Sequence, residues 1–137
     1  MVITLERRME APVDAVNRYT KTSIESADQL TLLTMLYDGL LRFLGIAREK
    51  LLKEENAHEP CIRARDIAHH LLHSTIDDGS EISTNTRSLC FHIYREIITA
   101  DMEKSADRIE QIIPVAKSLR NGWAGLKEKE RNNSGER

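Results

Sequence analysis

The sequence predicts an all-α protein: an antiparallel up-and-down four-helix bundle with an N-terminal strap or short extra helix. Three observations carry that expectation. The chain has 137 residues, enough for one domain with a single buried core. Strand patterning is nearly absent, while apolar residues recur at helical spacing through four segments. The connections between those segments are short, which makes consecutive helices antiparallel neighbours. No internal repeat or low-complexity block interrupts them.

Taken in order, residues 1–27 carry weak pattern, with Pro12 able to start a short helix, and are expected to form the strap. The bundle domain is expected over 28–127. Asp28 is a candidate cap for a first helix at about 29–54. Pro60 suits the first turn of a second helix, about 60–76, because a first-turn residue needs no amide hydrogen. The stretch "DDGS" (77–80) breaks that helix, and a third runs over about 81–101. Ser105 is a plausible cap for a fourth, about 106–127, in which Pro114 should produce a kink rather than an end. The tail at 128–137, within "KEKERNNSGER", is expected to fray or be disordered.

At about 100° per residue, two of these helices are one-sided. The fourth gathers Ile109, Ile112, Ala116, Leu119 and Trp123 into one stripe, and the second turns Ala64, Ile67, Ala68, Leu71 and Thr75 inward. The other two carry a surplus. In the first helix, Leu33, Leu36, Leu40, Leu44, Ala47 and Leu51 form a core stripe. Leu32, Met35, Phe43 and Ile46 form another beside it, with Gly39 among them, and Thr31, Thr34, Asp38, Arg42 and Glu49 mark the wet face. In the third, Ile82, Leu89, Ile93, Ile97 and Ala100 make one stripe and Phe91, Tyr94 and Ile98 a second. A bundle needs one seam per helix. The spare stripes are either covered by residues 1–27 or form a groove for a partner helix. Gly39, which costs a helix on the order of 1 kcal/mol against alanine, permits close approach of another backbone.

Composition narrows the function classes. Charged residues make up 31%, the net charge is −2 and aromatics are 4%, so neither a basic field nor a base-stacking platform for nucleic acid is expected. No apolar run reaches the ~18 residues of a membrane span and no signal-peptide core precedes the first helix, so a soluble cytoplasmic chain without membrane insertion is expected. Cys61 and Cys90 lack metal spacing and read as small buried hydrophobes in a reducing compartment. His69, His70 and His73 lie within two turns, with Asp66 nearby. Imidazoles at i and i+4 can share a metal, but no second ligand helix is evident, so no metal and no cofactor is expected. No phosphate loop, nucleophile elbow or buried acid pair supports an enzyme.

The stretch "YTKTSIESADQLTLLTMLYDGLLRFLGIAREKL" (19–51) resembles the N-terminal half of the flagellar secretion chaperone family FliS. That family shows a tyrosine, a small-residue segment, and a "MLYDG" signature opening its first long helix. These fall here on Tyr19, Ser23 to Ala27, and Leu32 to Gly39. Downstream, "GSEISTNTRSLCFHIYREIITAD" (79–101) is similar to the family pattern at Glu81, Ile82, Asn85, Leu89 and Ala100, and Trp123 stands where the family ends its last long helix. The resemblance spans roughly 19–125. Thr86 replaces the usual leucine, and Cys90 and His92 replace paired tyrosines.

The resemblance implies a cytosolic, non-enzymatic export chaperone. It would bind the C-terminal segment of flagellin, prevent premature filament assembly and keep the subunit fit for flagellar type III export. On that reading Leu32, Met35, Gly39, Phe43, Ile46, Phe91, Tyr94 and Ile98 meet the partner, and Tyr19 and Ile24 belong to an N-terminal strap. Components of the export apparatus or its regulators are further partners to test, and the chain is expected as a monomer or weak homo-oligomer. The alternative is a helical-bundle adaptor or regulator binding another export or anti-sigma component.

Overall fold

The computed structural model describes residues 29–75 and 79–135, with 126–135 described by backbone alone. The expectations for the strap, for the Asp28 cap and for residues 76–78 lie outside the described residues. Among the described residues four helices follow one another: α1 (Gln29–Leu52), α2 (His58–Ser74), α3 (Glu81–Glu103) and α4 (Ala106–Gly135). Each packs on the next, and α4 returns to pack on α1, closing a ring of four. The antiparallel bundle is thus as the sequence predicts.

The boundaries have local causes. Ser80 opens α3 and its side chain accepts the amide hydrogen of Ser83. Lys104 closes it in the left-handed region at φ 54°, and Ser105 then caps α4 by accepting from the Arg108 amide at 3.2 Å, as expected. Pro60 sits in the first turn of α2. Pro114 lies inside α4, on its exposed side, and the helix continues past it. One boundary differs. The expected disordered tail is helix as far as Gly135, in keeping with the strong helix formers Lys127, Glu128, Lys129, Glu130 and Arg131.

The core holds Leu36, Leu40, Leu44 and Ala47 of α1, Ala64, Ala68 and Leu71 of α2, Ile93, Ile97 and Ala100 of α3, and Ile109, Ile112 and Ala116 of α4. α1 is long and apolar enough to cross a bilayer, yet six of its residues are buried in the bundle.

Two assignments are corrected. Ile82 and Leu89 of α3 are exposed, Ile82 at 72%, while Ser83, Thr86 and Cys90 are buried in their place. Tyr37, a core residue the helical wheel leaves out, gives the reason at Cys90: it is buried with its hydroxyl 3.5 Å from Cys90 Sγ, so the α3 side chain facing it there is a small one. The second correction is Leu32, which is 7% exposed and belongs to the core cluster rather than to a spare stripe.

Candidate partner-binding surface

The spare stripes of α1 and α3 do not form one groove. They flank α2 from opposite sides. On α1, a side chain at Gly39 would meet Ile67 Cδ1 of α2 at 3.4 Å, so Gly39 faces α2 and its close approach is to this neighbour. Helical spacing puts Met35, Phe43 and Ile46 on the same flank. Phe43 is half-buried against the core, whereas Met35 at 53% and Ile46 are exposed. On α3, Arg87 donates to the carbonyls of Leu72 and Thr75, and the Tyr94 ring lies 5.7 Å from that of His69, so that side also faces α2. Phe91 and Ile98 share it. Phe91 is 48% exposed and Tyr94 and Ile98 are half-buried.

The sites assigned from sequence therefore divide. Met35, Ile46 and Phe91 are open to a partner. Gly39, Phe43, Tyr94 and Ile98 form the half-covered floor beside them, and Leu32 lies beneath. Arginines edge both flanks, with Arg42 over the Phe43 ring and Arg95 over the Phe91 ring, each 5.8 Å from the centroid. Such exposed cation–π contacts contribute about 0.5–1 kcal/mol and leave one face of each ring free. The helix edges away from α2 are tied by charge instead. Arg120 Nε meets Asp38 at 2.9 Å across α4 and α1, and Arg108 bridges Glu103 and Glu96.

Apolar exposure elsewhere was missed by the wheel reading. Leu52 and Met102 are exposed at the end of the bundle, where Leu51, Glu54, Glu55, Ala57, His58 and Asp101 line a cleft of about 900 Å³. His58 and Asp101 meet there at 2.7 Å. The exposure of Leu52 follows from its place in the last turn of α1, where periodicity no longer constrains the side.

Among the described residues no group of three or more histidine, cysteine or acidic side chains is placed to hold a metal. Burial pushes the Cys61 thiol up to about 11, with Asp101 adding to it, and burial also raises Cys90. Protonated, buried thiols are poor nucleophiles. Both cysteines are free and buried, as the sequence suggests. What the surface can do is bury apolar side chains of another polypeptide beside a rigid helical frame.

The family model of the flagellar protein FliS matches residues 12–130, most of the chain. The chain belongs to the FliS family. Proteins named flagellar secretion chaperone FliS are similar to it. The Campylobacter jejuni protein is 28% identical over 112 residues, covering 80% of this chain and 88% of its own. The Bacillus subtilis protein is 24% identical over 115 residues, covering 82% and 86%, and that of Escherichia coli is 24% identical over 109 residues, covering 75% and 79%. The match thus spans α1 to α3, most of α4 and all eight residues assigned to the partner surface.

Proposed function

We propose that this member of the FliS family binds the C-terminal segment of flagellin in the cytoplasm, holds it from premature assembly and delivers it to the flagellar export apparatus. The chemistry is association alone, without a catalytic step. The observation that carries the reading is the placement of Met35, Ile46 and Phe91, exposed on the two flanks of α2 in a chain of this family. Isolated exposed apolar residues need no explanation, but here they extend the half-buried Phe43, Tyr94 and Ile98. A segment that crosses α2 reaches both flanks and orders as it binds, which gives a large negative heat-capacity change and added helix.

The test is calorimetric titration with a peptide from the C-terminus of the flagellin of the same organism. Saturable binding is expected, with helical ellipticity above the sum of the parts. Phe91→Ala should weaken it by about 1 kcal/mol or more, some five- to tenfold in Kd, with the free chain still folded. No binding to that peptide would refute the flagellin reading. Binding that is indifferent to Phe91 and Met35 would keep flagellin but move the surface.

A further inference from the structure

We infer that His69 and His73 of α2 form a two-imidazole site for an exchangeable divalent cation of the zinc class, with Asp66 positioning His69. The starting point is an inventory of donors. The chain has five histidines and two cysteines, and all seven lie among the described residues. Both thiols are buried, so the imidazoles are the donors an ion from solvent would meet. His58 is engaged by Asp101 at 2.7 Å, and His92 lies on the exposed side of α3. The other three share α2.

Helical geometry selects two of the three. Residues four apart lie one above the other on a helix, with Cβ atoms about 5–6 Å apart. His69 and His73 have that spacing, and their ring centroids are 4.3 Å apart with the planes tilted by 57°. His70 is turned about 100° from His69, to the side of Ile67, which faces α1. Packing accounts for His69, which is half-buried with the Tyr94 ring 5.7 Å away. It does not account for His73, which is exposed and still lies against the His69 ring. Two imidazoles at this spacing on one helix face are the pair that helical zinc motifs use to share an ion.

Asp66 adds a second observation. It precedes His69 by three residues and so lies on the same side of α2. Its side chain is 5% exposed. Arg65 donates through Nε and Nη2 to Oδ1, at 3.2 and 3.0 Å, whereas Oδ2 is buried without a hydrogen-bond partner. An imidazole bound to a metal donates its other ring N–H, and a carboxylate is a usual acceptor. Asp66 is thus a positioning residue rather than a ligand. With no third ligand grouped among the described residues, water completes the coordination and the ion exchanges, unlike that of a closed four-ligand structural site. The sequence expectation of no metal concerned sites that need a second ligand helix; this pair needs one helix. Imidazole donors favour zinc, nickel and copper over magnesium, which prefers oxygen.

Calorimetric titration of the untagged full chain with zinc chloride, with no peptide present, tests this apart from the flagellin reading. One Zn²⁺ per chain should bind saturably, and magnesium chloride should give no binding. His73→Gln changes an exposed side chain, so the chain should stay folded and lose saturable binding; His69→Gln should lose it as well. Asp66→Asn should weaken binding about tenfold, and Asp66→Glu, which restores a carboxylate, should recover most of that loss. His70→Gln and His92→Gln should bind as the wild type does. No saturable Zn²⁺ binding, or binding unchanged in His73→Gln, would overturn the site. Loss of binding in His70→Gln would overturn the pairing, and unchanged affinity in Asp66→Asn would overturn the role of Asp66.

Discussion

α4 is one-sided; α1 and α3 are not, and the difference shows what an apolar side chain is for in this bundle. Every residue of the expected α4 stripe is buried or half-buried, Ile113 and Val115 pack against the core beside it, and Glu110, Gln111, Lys117, Ser118 and Asn121 are exposed. In α3 the correspondence fails at one end. Ile82 and Leu89 lie outside and Ser83, Thr86 and Cys90 inside. At Cys90 the cause is volume: the buried Tyr37 of α1 reaches it, and close packing requires a small side chain opposite a large one. α4 is thus specified by hydrophobicity, and the first half of α3 by shape. The apolar side chains left on the outside at that end of α3 are Ile82 and Leu89.

The largest test of that comparison is Tyr37→Ala. If Tyr37 sets the core at this end, its loss should cost about 3–5 kcal/mol, because Ser83, Thr86 and Cys90 are too small to refill the space. Ile82→Ala removes a bulkier aliphatic than any of those three and should stay within about 0.5 kcal/mol. Urea unfolding of both variants decides it. A cost for Ile82→Ala equal to that for Tyr37→Ala would restore the stripe that periodicity suggests.

This contrast also marks what was legible in the sequence. Among the described residues, helix order and most boundaries followed from caps and breakers, since Pro60, the stretch 77–80 and Ser105 act locally. The α4 core was legible because aliphatic residues alone fill it. Tyr37 was not, because a tyrosine suits either a core or an interface, and only its surroundings decide. Leu32 was misplaced for a related reason: near a helix start, the wheel cannot say which flank a neighbour covers. The two-sided arrangement about α2 depends on pairings between distant segments, such as Arg87 with Thr75 and Gly39 with Ile67, which no local pattern encodes.

A smaller effect sharpens the comparison at the glycines. Gly122 in α4 has open space where a side chain would stand, so Gly122→Ala should stabilise by up to about 1 kcal/mol through helix propensity. Gly39→Ala gains the same propensity and meets Ile67 at 3.4 Å, an ordinary contact, so it should be neutral to mildly stabilising. Gly39→Leu overfills the α1–α2 seam and should cost about 1–3 kcal/mol. Thermal unfolding of the three variants orders them. Destabilisation by Gly39→Ala itself would mean that α2 packs more tightly on α1 than this contact indicates.

The smallest effect is a pH dependence that should belong to α2 and its α3 flank and leave the α4 side unmoved. His69 is held below its ordinary value of 6.5, by burial first and by His73 next, with Asp66 opposing and Arg65 adding. His70 is lowered as well, by burial and then by His69 and His73. On the α3 side, Tyr94 lies against the His69 ring. The folded state therefore favours neutral imidazoles and binds fewer protons than the unfolded chain just below pH 6.5. That contribution to stability is present above the unfolded value and is lost as the pH falls through it. Urea midpoints should accordingly fall between pH 7.5 and pH 5.5. The double variant His69→Gln with His70→Gln should show a smaller fall than the wild type. Equal falls in the two proteins would place the proton uptake elsewhere, and exchange-protected amides at pH 5.5 would then locate it.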